Sequence, residues 1–183
     1  MNTKNPQKPG EEESSEAPPD RDPGPVYLDL LASMKSLQLA SIDTEGLPHC
    51  SYTPFLQDDL NFYVFISELA AHTGYLLGTG TAAVMIVADE ADSAQIFART
   101  RAYYQCDVSR VERQRNGEDD PEYERLMQAY EDRHGKTVSL LRSLADFHLV
   151  KLTPRTGQFV MGFGQAYRLS GPDFSVFTHI RSA

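Results

Sequence analysis

Residues 60–88, LNFYVFISELAAHTGYLLGTGTAAVMIVA, decide how this chain folds. Asn61 to Ser67 is dense in β-branched and aromatic side chains, which predicts a strand. Leu69, His72, Leu76 and Leu77 then recur at helical spacing, and Gly78 and Gly80 stop that helix. Thr81 to Ala88 is a short apolar run of the kind that forms a buried strand. Strand, short helix and strand within 29 residues leave room for an antiparallel or mixed sheet with sparse helices.

Working toward the N-terminus, Asp58-Asp59 marks a turn before that first strand, and Pro48 to Phe55 predicts a further strand. It is the return arm of a hairpin whose other arm is Leu37 to Ile42, with Asp43-Thr44-Glu45-Gly46 between them. Val26 to Leu37 carries Tyr27, Leu30, Leu31 and Met34 three and four apart, the pattern of an amphipathic helix. Residues 1–25 hold Pro, Glu, Ser and Asp and no large aliphatic side chain after Met1. Such a stretch buries too little apolar surface to offset its ordering entropy, so a disordered tail is expected.

Toward the C-terminus, the acidic loop Asp89 to Asp92 leads to a long strand, Thr100 to Val111. Asp120 and Pro121 have the identities of an N-cap and first helical residue, Tyr123, Leu126, Met127 and Tyr130 form an apolar stripe, and Gly135 ends the helix. Val138 to Leu144 adds a helical turn or two. Phe147 to Leu152 reads as a strand, Thr153 to Gly157 as a turn, and Gln158 to Leu169 as a strand pair or one bent strand. Gly162 and Gly164 flank Phe163 there, which points to a bulge or a close approach by backbone or ligand. The expected organisation is the tail, one α+β domain over 26–170, and a C-terminal segment, 171–183, that reaches a ligand site.

Charge narrows the function classes. The formal net charge is −9, and the tail, with Lys4, Lys8 and Arg21 against six carboxylates, carries −3 of it. The remaining −6 argues against nonspecific nucleic-acid binding, which needs cations to displace phosphate counterions. No apolar run approaches the roughly 18 residues of a membrane span, and no secretory h-region is visible. Cys50 and Cys106 form neither a disulfide framework nor a zinc motif and read as reduced thiols. These features predict a cytoplasmic protein with no membrane partner.

The strings LQLASIDTEGLPHCSYTPF, LNFYVFISELAAHTGYLL, TRAYYQC and LLRSLADFHLVKLTPRTGQFVMGFGQAYRL resemble the pyridoxamine 5'-phosphate oxidase-like split-barrel family, and within it the HugZ/HutZ haem-utilisation branch. SELAAHT and GFGQAY are the most specific parts. The resemblance implies an FMN-binding-type split β-barrel with peripheral helices, a homodimer, and a tetrapyrrole or flavin ligand between the subunits. For the haem branch it implies an axial histidine near the C-terminus, supported by an aspartate from the partner subunit, with an arginine near the porphyrin. By position these are His179 for the iron, Asp146 for the ring nitrogen opposite it, and Arg101, with Arg99 second; His72 lines the same cleft. The implied function is haem binding for iron utilisation with oxidative opening of the porphyrin at the dimer interface; noncatalytic haem storage or delivery is an alternative.

Flavin-binding members hold the FMN phosphate with a Ser, an Arg and a Lys after the third strand. The matching stretch here begins at Ser67, and those three identities fall on Ala71, His72 and Thr73. Two permanent cations are replaced by an imidazole and a hydroxyl. Charge-assisted hydrogen bonds contribute about 1.5–3 kcal/mol each, so FMN binding is expected to be weakened about a hundredfold or more. An FMN-dependent oxidoreductase is therefore the alternative reading. His49, His134 and His148 are expected to be structural.

Overall fold

The computed structural model describes residues 21–181. The chain runs α1 (Pro23–Ser33), β1 (Ser36–Ile42), β2 (Pro48–Pro54), β3 (Leu56–Asp58), β4 (Asn61–Ser67), α2 (Ala71–Thr79), β5 (Thr81–Val87), a 3-10 turn (Ile96–Ala98) and β6 (Arg101–Arg110). It continues with β7 (Gln114–Arg115), β8 (Glu118–Asp119), α3 (Pro121–His134), α4 (Thr137–Arg142), β9 (Phe147–Gly162), β10 (Gln165–Ser170) and β11 (Val176–His179).

The sheet pivots on β9. Along one edge Val150 to Val160 pairs antiparallel with β6. Along the other edge its first part, Phe147 to Leu152, pairs with β4, and its last part, Gly157 to Gly162, pairs with β10. One strand thus belongs to two diverging half-sheets. The principal path is β11-β10-β9-β6-β5-β1-β2, and β3 and β4 branch from β9.

Alternation along the strands explains the core. In β5 and β6, Val84, Ile86, Ala102, Tyr104 and Cys106 turn inward to meet Leu37, Leu39, Phe159 and α1. Strand β4 is apolar on both faces because both are covered: Phe62, Val64 and Ile66 join that core, while Tyr63 and Phe65 pack against Tyr123, Leu126 and Met127 of α3. Local chemistry sets the ends. Asp22 caps α1 through Gly24 N at 3.0 Å, and Asp120 caps α3 through Glu122 N at 2.8 Å. Asp43 Oδ1 accepts from Glu45 N and Leu47 N in the first hairpin.

Several boundaries differ from the sequence reading. Helix α1 begins at Pro23 and takes three residues assigned to the tail, because Asp22-Pro23 supplies a cap and an N1 proline. Arg21 and Asp22 lead into the helix, and residues 1–20 of the predicted tail lie outside the described residues. Leu69 precedes α2 and is 92% exposed, so it does not belong to the apolar face of that helix. The predicted turn at Thr153 to Gly157 is absorbed into β9. Pro154 sits beside a bulge, where a missing N–H costs no ladder bond. The segment after residue 170 supplies β11, hydrogen-bonded to β10 from Val176 to His179.

Candidate functional site

Three groups of residues matter, and one subunit does not bring them to one point. The first surrounds Ser67 at the end of β4. Its Oγ donates to Asp146 Oδ2 at 2.5 Å and accepts from Leu69 N at 3.0 Å. Its carbonyl accepts from Thr73 Oγ1 at 2.6 Å. The Glu68 amide donates to the Asp146 carbonyl at 2.8 Å, and Glu68 Oε1 meets His148 Nε2 at 2.5 Å. Sequence reasoning proposed Ser67, Ala71, His72 and Thr73 as a phosphate-like pocket; the structure binds Thr73 to the Ser67 carbonyl and the Ser67 hydroxyl to a carboxylate.

His72 completes the second group. It is 8% exposed, and its Nδ1 lies 2.9 Å from Ser51 Oγ on β2. Its Nε2 has no hydrogen-bond partner, and neither has Nδ1 of His49, a ring stacked edge-on to Tyr75 at 5.4 Å. Burial, with His49 adding to it, pushes the His72 imidazole below its ordinary range, so the neutral form is favoured. A neutral, inward-packed ring supplies no charge to a phosphate.

The residues therefore do not fit an FMN phosphate. A flavin phosphate placed at Ser67 and Thr73 meets the Asp146 carboxylate and no cation from this stretch. Like charges at short range oppose binding.

The third group lies at the β9–β10 hairpin and β11. His179 pairs across the ladder with Tyr167, and the two rings meet edge-on at 5.3 Å. His179 Nε2 is 2.6 Å from the Gly164 carbonyl. A carbonyl only accepts, so Nε2 carries the proton and a neutral ring keeps a lone pair on Nδ1. The ring is exposed. Gly164 sits at the hairpin turn with φ +66°, a conformation glycine adopts without strain. Its role was missed, although the flanking glycines had signalled a close backbone approach.

Arg101 stands one register position away but on the other face of the sheet. It pairs with Val160, whereas its neighbour Ala102 pairs with Phe159, which pairs with Tyr167 of the inner, histidine-bearing face. Arg101 donates to the Arg99 carbonyl at 2.9 Å, and Arg99 is committed to Glu90 at 2.9 Å and to the Ala88 carbonyl. Asp146 precedes Phe147, and His179 is level with Phe159, so twelve residues of β9 separate them. That is roughly 40 Å of strand contour at about 3.3 Å per residue. Within one subunit Asp146 accepts from Ser67, and His179 Nε2 meets the Gly164 carbonyl.

An antiparallel sheet split about one shared strand, its ends covered by helices, defines a split β-barrel protein. The chain belongs to the pyridoxamine 5'-phosphate oxidase family, whose model matches residues 25–161. It is 38% identical over 156 residues to the heme oxygenase HutZ of Vibrio cholerae, an alignment covering 85% of this chain and 86% of that one. Among solved structures it resembles Campylobacter jejuni ChuZ, with TM-score 0.74 and 28% identity over 85% of this chain, although it spans only 61% of ChuZ. It also resembles HutZ, described as the heme storage protein from V. cholerae, with TM-score 0.69 and 33% identity, covering 76% of this chain and 96% of that one. The fold expectation holds. Among the described residues no helix is long and apolar enough to cross a membrane.

Proposed function

We propose that this chain binds haem for haem-iron utilisation, as a homodimer with the ligand between subunits and His179 as axial ligand. The observation that carries the reading is the His179 imidazole. It is exposed, in its neutral form it offers one lone pair, and a carbonyl holds its other nitrogen. An acceptor on the far nitrogen fixes the ring and raises its basicity, the arrangement an iron ligand needs. Haem supplies the redox chemistry when bound, and the protein supplies the ligand, polarity and access.

A second subunit is part of the proposal because the parts do not meet within one. Asp146 and Arg101 reach a ligand at His179 only from another copy. The outward face of β2, β1, β5 and β6 supports this: Tyr52 is 71% exposed there, and Met85 and Tyr103 pair beside it half-buried. The free thiols Cys50 and Cys106 are in keeping with a reducing, cytoplasmic compartment.

Titration of the purified chain with hemin tests this directly. A Soret band saturating at one haem per subunit is expected, and its loss in His179→Ala while a species of twice the 20.5 kDa chain mass persists in sedimentation. An unchanged Soret band in that variant removes His179 from the site. The V. cholerae relative is described both as an oxygenase and as a storage protein. Ascorbate and air separate these roles, since a degrading enzyme loses its Soret band and a store keeps it.

A further inference from the structure

The β9–β10 hairpin turns through Phe163 and Gly164, between the paired residues Gly162 and Gln165. Turns of this length favour Gly, Asn, Asp and Ser, whose small or polar side chains suit water. Here the first turn residue is a phenylalanine, 60% exposed, that joins neither apolar core. The turn also holds the candidate axial ligand. The Gly164 carbonyl, one residue from Phe163, accepts from His179 Nε2 at 2.6 Å, and Tyr167 meets the imidazole edge-on. Ile180 N donates to the Ala166 carbonyl at 2.7 Å, which keeps the chain beyond His179 running toward the same turn.

A second exposed apolar group lies at this end of the sheet. Strand β6 begins at Arg101, opposite Val160 of β9, so the 3-10 turn just before it lies beyond that pair, against the end of β9. It presents Ile96 and Phe97 to solvent, Phe97 at 81% exposure, and both are again outside the two cores. Single exposed apolar side chains need no explanation, whereas several gathered at one place mark a binding surface. These flank a neutral imidazole with a free lone pair, and that combination selects the ligand: a large, flat, apolar body with a metal at its centre.

We infer that Phe163, with Phe97 and Ile96 beyond it, is the apolar wall against which the porphyrin lies, so that the site recognises the tetrapyrrole macrocycle itself and not its iron alone. The inference rests on the haem reading above and extends it to metal-free porphyrins. An axial nitrogen fixes one point of the ligand and leaves its plane free to tilt. An aromatic ring beside that nitrogen, on a hairpin turn held by the Gly164–His179 bond, fixes the plane through stacking or edge contact and buries part of the macrocycle.

Fluorescence anisotropy of metal-free protoporphyrin IX, titrated with the full chain beside a hemin titration, tests this. Wild type is expected to take up one protoporphyrin IX per subunit, and His179→Ala to bind it still although its hemin Soret band is lost. Phe163→Ala should weaken both ligands about tenfold, while the position of the hemin Soret band, which reports the axial nitrogen, stays where it was. Phe97→Ala should weaken both severalfold, and Phe163→Tyr, which keeps the ring, should recover most of the loss. Because Phe163 lies in an exposed turn, the urea midpoint of Phe163→Ala should match wild type. Three results overturn the inference: hemin uptake without protoporphyrin IX uptake, unaltered protoporphyrin IX affinity in Phe163→Ala, or a Phe163→Ala chain that sediments as a monomer where wild type is a dimer, which assigns the ring to the subunit contact. A hemin Soret band that survives in His179→Ala, while protoporphyrin IX still depends on Phe163, removes the axial ligand and leaves the wall standing.

Discussion

Ser67 Oγ donates to Asp146 Oδ2 across 2.5 Å, tying the end of β4 to the turn that opens β9 over 79 residues of sequence. The bond places a carboxylate where the family's flavin members need cations. Wild-type protein is therefore expected to purify without flavin. Asp146→Asn should raise affinity for added FMN by about tenfold, because it removes one negative charge near the phosphate. Quenching of flavin fluorescence measures this. Equal affinity in wild type and variant would show that the phosphate goes elsewhere.

Adding His72→Arg and Thr73→Lys to that variant should raise FMN affinity further. The same pair of changes in the wild-type background should gain less, since the new cations then partner Asp146 rather than the ligand. If the double change alone reaches the affinity of the triple one, the carboxylate is not what excludes FMN.

How far this site was legible in the sequence follows from where its parts lie. The strand at Asn61 to Ser67 and the histidine on the following helix are local patterns, so both were readable. The Ser67–Asp146 bond and the seat of His72 against Ser51 arise from strand pairing between distant segments, which periodicity does not encode. Pro154 was misread as a turn because proline usually breaks a ladder, whereas the bulge at Arg155 accommodates it. Strand β11 was not read as a strand because a lone apolar alternation of four residues carries little signal until Tyr167 and Leu169 offer it an edge.

Acid should destabilise the fold through two histidines. Burial holds both His72 and His134 below the ordinary imidazole range. The unfolded chain then binds protons more readily than the folded one, so stability rises with pH across that interval. Their contribution is complete above the unfolded value near 6.5 and is lost as pH falls through the folded values. Urea midpoints measured between pH 7.5 and 5 should fall with pH. His72→Asn, which keeps a nitrogen facing Ser51, should flatten that slope. An unaltered slope would mean that His72 is already charged in the native state.

Tyr27 anchors α1 by accepting from Tyr104 Oη at 2.7 Å in the core. Burial pushes the Tyr104 hydroxyl far above its ordinary range, so it remains a donor at every working pH. Tyr27→Phe leaves that donor buried without a partner and should cost about 1–3 kcal/mol in urea unfolding. A cost below about 0.5 kcal/mol would indicate that the Tyr104 hydroxyl finds another acceptor.

Gly157 occupies the point where β9 leaves its pairing region with β4 and takes up β10. A Cβ there would meet Leu169 Cδ1 at 3.0 Å, Leu169 Cβ at 3.1 Å and Tyr104 Cδ1 at 3.2 Å. Tyr104 is fully enclosed and fixed by Tyr27, and Leu169 is locked in the ladder, so neither yields cheaply. Gly157→Ala is expected to destabilise by about 1–3 kcal/mol, the ordinary cost of overpacking, even though alanine favours an ordered backbone. The strain falls on β10, which carries the partner strand of His179. Gly157→Ala should therefore also weaken hemin uptake, while Tyr27→Phe, with a similar stability cost on the opposite side of Tyr104, should leave uptake closer to wild type. Equal loss of hemin in the two variants would tie uptake to global stability instead of to the β10–β11 edge.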